Sequence, residues 1–295
     1  MSNGSTEYMG WTINPSPLGR GGFKTVYLLE KDGHKEALKV TRLRDENVVD
    51  PVEVELLENE LYSRAEREFQ LLSQFQGGCV VALGSIQGHR AEWDGKPAHF
   101  YSEEYLTGQT LDKVIQGNFA AKTLPAWEQI RILFSTGLDV LERIWATQTV
   151  HRDIKPANIM ATEDVNRPFV FFDLGIAFER EGSALTRQRL GPGTLLYRAP
   201  ETLDADYRAN LDFRCDLFSL AVTVAEFASG LHPIHHGARD VGETVYRLLH
   251  KPATSLRTLR SDLPLEFCSA IDRCMHKKPA LRPTKFADLR KVLEA

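Results

Sequence analysis

The stretch TVHRDIKPANIM, from Thr149 to Met160, places Asp153, Lys155 and Asn158 at i, i+2 and i+5. These residue types at this spacing suit transfer of a charged group to a hydroxyl. The Asp153 carboxylate can accept the proton of an attacking hydroxyl. The Lys155 ammonium can neutralise charge on a transferring phosphoryl group. Asn158 offers a neutral carbonyl oxygen, and Mg²⁺ prefers hard oxygen ligands. At ~5% per residue type, the five fixed residues of HRDIKPAN match by chance roughly once in a few million windows. Downstream, FVFFDLG reads as a short apolar strand ending in Asp173, Leu174 and Gly175. An Asp-x-Gly turn at a strand end is common. With Asn158 upstream, the Asp173 carboxylate suits the same metal.

Two weaker signals precede the loop. LGRGGFKTV sets Gly19 and Gly21 between strand-like segments. Alone it is a hairpin turn. It also suits a loop whose backbone closes over phosphates, because glycine lets N–H groups approach without a Cβ. Val26 would then lie against a purine. EALKV places Lys39 in an apolar strand context. If that ammonium points inward it needs a carboxylate, since a buried unpaired charge is costly. Glu68 is the expected partner, with Glu60 and Glu66 as competitors.

These residues need elements to position them. The chain has 295 residues, long enough for one large or two joined domains. It is 42% hydrophobic and 26% charged with a net charge of −4, which gives no reason to expect nucleic acid as partner. The polar N-terminus is not a signal peptide, and no apolar run is long enough for a membrane helix. Cys79, Cys215, Cys268 and Cys274 form no C-x-x-C pair and read as reduced thiols, so a cytoplasmic setting is expected.

From Trp11 to Leu106 the pattern is strand-like. FKTVYLLE and HKEALKV flank an Asp32-Gly33 turn, and CVVALGSI and PAHFYSEEYL read as further strands. Asp50 before Pro51 marks the start of one or two helices. From Thr107 onward the spacing is helical, as in AWEQIRILFSTGLDVLERIWATQ. HPIHHGARD, with His232, His235 and His236, reads as an exposed loop. A β-rich first third and an α-rich remainder imply an α+β fold of two lobes with a crevice.

In order, these parts resemble a eukaryotic-type Ser/Thr protein kinase: Gly-rich loop, strand lysine, helix glutamate, H-R-D-x-K-x-x-N, D-x-G and A-P-E. GTLLYRAPE supplies Ala199, Pro200 and Glu201, CDLFSL supplies Asp216, and KKPALRPT supplies Arg282. The resemblance implies a bilobal kinase domain over 11–295, with an N-lobe over about 11–106, a C-lobe over about 107–295, and residues 1–10 disordered. It implies ATP and Mg²⁺ (or Mn²⁺) as cofactors and a protein Ser/Thr acceptor as partner. Lys39 should bind phosphates and pair with Glu68. Asn158 and Asp173 should hold the metal, with Asp153 and Lys155 at the acceptor. Gly19, Gly21, Val26, Ala37, Met160 and the hinge residues Glu104 and Leu106 should frame the nucleotide. Asp216 should brace the catalytic loop, and Arg282 should pair with Glu201.

Some positions depart from the family pattern. Lys24 replaces the third loop glycine and could itself reach a phosphate. The gatekeeper position falls on Glu103, or on Ser102 if the register slips by one, and a carboxylate there could form an internal salt bridge. The separation of Lys39 and Glu68 implies a helical insertion around Asp50 to Leu61. Thr186, then Ser183, are the expected regulatory phosphorylation positions. A pseudokinase acting as a binding module is the alternative to an active enzyme, and a small-molecule phosphotransferase is disfavoured by the A-P-E segment.

Overall fold

A computed structural model describes residues 7–45, 47–173, 195–204 and 211–294. Chain contacts divide it into two compact units, Met1–Thr107 and Gly108–Ala295. Leu174, Gly175, Ser183, Thr186 and Thr194 lie outside the described residues.

The first unit is an antiparallel sheet with one helix. Its strands are β1 (Glu7–Tyr8), β2 (Trp11–Ile13), β3 (Gly19–Arg20), β4 (Lys24–Lys31), β5 (His34–Arg42), β6 (His89–Trp93) and β7 (Lys96–Glu104). They lie in the order β1-β2-β4-β5-β7-β6, with β3 paired to β4. Asp32 and Gly33 both have positive φ (50° and 80°), the tight turn whose twist matches two antiparallel strands. Asp94 and Gly95 repeat it between β6 and β7. In β1, Glu7 and Tyr8 align with Thr12 and Trp11.

Alternation gives the sheet two faces with different contents. Tyr27, Leu29, Leu38, Val40 and Phe100 pack with Trp11, Ile13, Ile86, Trp93 and Ala98 as an apolar core. On the opposite face Val26 stands across from Lys39, Lys39 from Tyr101, and Ala37 from Glu103. Helix α1 (Pro51–Phe75) is a single helix. Asp50 caps it by accepting from Val52 N and Glu53 N, each at 3.0 Å. Leu57, Leu61, Ala65, Phe69, Leu72 and Phe75 form its buried stripe, and Glu68 falls within that stripe.

Cys79–Ile86 is not the regular strand expected from its apolar run. It meets β7 through an isolated bridge, Leu83 with Glu103, and through the backbone bonds Gly84 N to Ser102 O, Ser102 N to Ile86 O and Glu104 N to Ala82 O. Side chains take the other two donors there: Ser85 N donates to Glu36 and Ile86 N to Ser102 Oγ.

The second unit begins with β8 (Gly108–Thr110), α2 (Leu111–Ala121) and α3 (Trp127–Trp145). β9 (Ile159–Thr162) and β10 (Phe169–Phe171) complete a small sheet with β8. Gly108 sits at φ 140°, and a Cβ there would meet Ala161 O at 2.1 Å, so only glycine fits. α4 (Phe213–Ser229) is buried over most of its length and packs on α3. Gly137 of α3 allows this approach, since a Cβ would meet Leu220 at 2.4 Å. α5 (Val241–His250), α6 (Leu256–Leu259), α7 (Leu265–Cys274) and α8 (Phe286–Lys291) close the unit. Phe267 of α7 meets Trp127 and Phe134 of α3 with ring centroids 4.7 and 5.7 Å apart.

Candidate functional site

In the first unit, β5 brings Lys39 to the helix-covered face with its side chain 4% exposed. Its Nζ lies 2.6 Å from Glu103 Oε1 and 3.7 Å from Glu68 Oε1. Glu68 also receives Lys24, whose Nζ donates to both carboxylate oxygens at 2.5 and 2.7 Å. The Tyr101 hydroxyl donates to Glu68 Oε1 at 2.8 Å. Of the competing carboxylates, Glu60 pairs with Arg64, and Glu66 with His99 at 3.0 Å. Burial holds His99 below the usual imidazole range, so it is neutral near pH 7.

Glu103 shares the Lys39 face, whereas Ser102 lies on the other and donates to Glu36 at 2.6 Å. Of the two gatekeeper candidates, Glu103 is thus the one on the Lys39 face. Val26 and Ala37 share the Lys39 face. Glu104 closes β7, donating its N–H to Ala82 O and accepting Ala82 N on its side chain. Leu106 lies one residue before the division between units. Gly19 opens the β3–β4 hairpin, and Gly21 N donates to Lys24 O at 2.7 Å. A Cβ at Gly19 or Gly22 would meet nothing within 4 Å, so packing inside the chain does not demand glycine there.

In the second unit the HRDIKPAN loop joins α3 to β9. Asp216, in the first turn of α4, is 1% exposed. Its two oxygens accept His151 N and Arg152 N, each at 2.6 Å. Burial raises the Asp216 carboxyl above its usual range, while His151 and the two backbone donors oppose that shift. Arg152 adopts φ 66°, a left-handed conformation that a side-chain-bearing residue keeps only where its surroundings hold it.

Beyond that bend, Lys155 Nζ donates to Asp153 Oδ1 and Oδ2 at 2.9 and 2.8 Å. The Asn158 amide donates to Asp153 O and Oδ2, both at 2.9 Å. Its NH₂ is thereby committed to Asp153, so a cation could be held only through its carbonyl oxygen. Phe172 N donates to Asn158 O at 3.1 Å, tying the loop to the segment that carries Asp173. Asp173 follows β10 at φ 57°. Met160 lies on β9 opposite Val170 and Thr110.

A second buried ion pair steadies this unit. Arg282 donates to both oxygens of Glu201 at 2.5 and 2.8 Å, and to the carbonyls of His276 and Arg214 at 2.7 and 2.9 Å. His232 and His235 of HPIHHGARD depart from the exposed loop expected of them, whereas His236 is exposed. His232 and His235 stack at 4.7 Å, and His235 is 7% exposed. Burial is the main cause that pushes them down to about 3 and about 4.

The protein kinase domain family matches residues 14–294. The chain belongs to the protein kinase family. Among curated proteins, the chain is 30% identical over 273 residues to the Serine/threonine-protein kinase PknH of Mycobacterium tuberculosis H37Rv, covering 92% of the chain and 40% of PknH. It is 29% identical over 278 residues to the Serine/threonine-protein kinase AfsK of Streptomyces coelicolor, covering 94% of the chain and 30% of AfsK. It thus spans less than half the length of these relatives. The crystal structure of the M. tuberculosis PknI kinase domain matches with TM-score 0.65 at 20% identity, over 100% of this chain and 99% of that one. That likeness carries the α+β kinase fold.

Within the chain, the sequence pattern named Lys39, Glu68, Asp153, Lys155 and Asn158 without naming all their partners. It missed Tyr101 on Glu68 and the pairing of Lys24 with that same carboxylate. One sequence signal separates the three helix carboxylates: Glu68 falls on the apolar stripe of α1, whereas Glu60 and Glu66 do not.

Proposed function

We infer that the chain transfers the γ-phosphate of ATP to serine or threonine hydroxyls of protein substrates, including its own segment that carries Ser183 and Thr186. The observation that carries this reading is the Asp153 carboxylate, held by Lys155 and Asn158 in a loop braced by Asp216. A carboxylate fixed in this way can accept the hydrogen bond of an incoming hydroxyl and orient its oxygen for attack. Lys155 stabilises negative charge beside that oxygen. Lys39 supplies an ammonium for phosphate oxygens, positioned by carboxylates on either side.

The donor set fits Mg²⁺, since Asn158 and Asp173 offer one amide and one carboxylate oxygen, both hard ligands. When bound, the ion would neutralise phosphate charge. Among the described residues no helix is long and apolar enough to cross a membrane. Cys215, Cys268 and Cys274 are buried thiols, which supports a cytoplasmic setting.

A second reading, a binding module without transfer, draws on one observation. Glu103 stands closer to Lys39 than Glu68 does. Transfer of labelled phosphate from ATP to a generic basic protein, with Mg²⁺ and with Mn²⁺, separates the two. Incorporation on serine or threonine that falls ~10²–10⁴-fold in Asp153→Ala and also collapses in Asp173→Ala supports the enzyme. ATP binding with no transfer under either ion would favour the binding module.

A further inference from the structure

We propose that Lys24 is a second phosphate-binding lysine acting beside Lys39, and that Glu103 positions Lys39 so that Glu68 can serve both. The proposal rests on the nucleotide-binding reading given above and assigns roles within it.

Strand register puts the groups together. Lys24 pairs with Thr41 across β4 and β5, and Val26 with Lys39. Lys39 pairs with Tyr101 across β5 and β7, and Ala37 with Glu103. Facing residues point the same way, so Lys24 and Glu103 are the diagonal neighbours of Lys39 on one face, within reach of long side chains. α1 adds Glu68 to that face.

The distances then divide the labour. A carboxylate that served Lys39 alone would sit closest to Lys39. Glu68 instead gives both oxygens to Lys24, at 2.5 and 2.7 Å, and stands 3.7 Å from Lys39. Glu103 is the nearer partner of Lys39, at 2.6 Å. Lys24 and Lys39 therefore both approach Glu68, and Lys39 also approaches Glu103. When a polyphosphate approaches, either lysine can turn toward it while the other keeps Glu68 from being left as a buried, unpaired charge, which would be costly.

Exposure favours Lys24 as the first to meet the ligand. Its side chain is 23% exposed, against 4% for Lys39. It begins β4 directly after the glycine-rich turn, whose Gly21 N–H is bonded to the Lys24 carbonyl. The Gly21 N–H is thus spent inside the turn, and the Lys24 ammonium is the group on it that suits phosphate oxygens.

A site-resolved labelling experiment tests this on the full chain. The probe is ATP carrying an acyl group on its terminal phosphate. A nearby lysine amine attacks the acyl carbonyl, the amide forms, the acyl–phosphate bond breaks, ATP leaves with the electron pair, and the amine proton passes to water. Peptide mapping should find acyl groups on both Lys24 and Lys39, each suppressed by excess ATP. Lys39→Ala should keep the label on Lys24, Lys24→Ala should raise the KM for ATP about tenfold, and Glu103→Met, which turns Lys39 toward Glu68 and loosens Lys24, should lower the Lys39 share of the label. Label on Lys39 alone, with an unchanged KM in Lys24→Ala, would reduce Lys24 to a structural clip on Glu68. An unchanged label ratio in Glu103→Met would overturn the role of Glu103. Label on neither lysine, with no thermal shift on adding ATP, would instead sink the nucleotide-binding reading itself.

Discussion

Glu68 and Asp216 are buried carboxylates of the two units, 5% and 1% exposed, and they are held in opposite ways. Glu68 is surrounded by the tips of Lys24, Lys39 and Tyr101, long side chains that can swing. Asp216 is gripped by two backbone N–H groups of one loop, which cannot move without moving the chain. Partners in surplus suit a site that must release positive charge to an arriving anion. Dedicated partners suit a site that must hold a catalytic loop in one shape. The Glu201–Arg282 pair is of the dedicated kind, with two charged contacts and further backbone carbonyls converging on one guanidinium.

The largest effect should come from cutting that pair. Arg282→Met leaves the Glu201 carboxylate buried without its partner, and breaking a buried pair from one side typically costs about 3–5 kcal/mol. Equilibrium urea unfolding of the whole chain should show a loss of that size. A Glu201→Gln, Arg282→Met double variant should recover part of it, because no uncompensated charge remains. A loss below ~1 kcal/mol in the single variant would mean that the dedicated pair is not what steadies the unit.

Asp216→Asn should come next. An asparagine has one acceptor oxygen for two backbone donors, and its NH₂ would face the other N–H. Leaving one buried donor unmade costs about 1–3 kcal/mol. Because the lost bond belongs to His151 or Arg152, phosphate transfer should fall more steeply than stability, with the KM for ATP nearly unchanged. Equal losses in kcat and in ATP affinity would contradict a brace that serves the loop alone.

How much of this was legible in the sequence depends on how far apart the partners lie. HRDIKPAN is contiguous, so Asp153, Lys155 and Asn158 could be read together, and the structure finds them within hydrogen-bond reach of one another. The Asp50 cap and the Asp32-Gly33 turn are equally local. The Glu68 cluster is not local. Lys24, Lys39, Tyr101 and Glu103 come from three strands, and only the register of β4, β5 and β7 places them on one face. Composition misled at two places. Cys79–Ile86 is apolar enough for a strand, yet it meets β7 through one isolated bridge and a few backbone bonds, while the side chains of Glu36 and Ser102 take Ser85 N and Ile86 N. The histidine-rich segment looks polar, yet His235 is buried against His232, which in turn stacks near Tyr197.

The smallest effect tests the other half of the comparison. Tyr101→Phe removes the hydroxyl that donates to Glu68 Oε1 at 2.8 Å and leaves the ring in place. A hydrogen bond to a charged group is ordinarily worth about 1.5–3 kcal/mol. Glu68 keeps both ammonium groups, with Lys24 already on both of its oxygens. The carboxylate is then never orphaned, and the loss should stay near 1 kcal/mol in the same urea measurement. A loss matching that of Asp216→Asn would mean that Glu68 depends on each partner as strictly as Asp216 does. The cluster would then be a fixed brace, the lysines could not be released separately, and sharing of Glu68 between them would lose its physical basis.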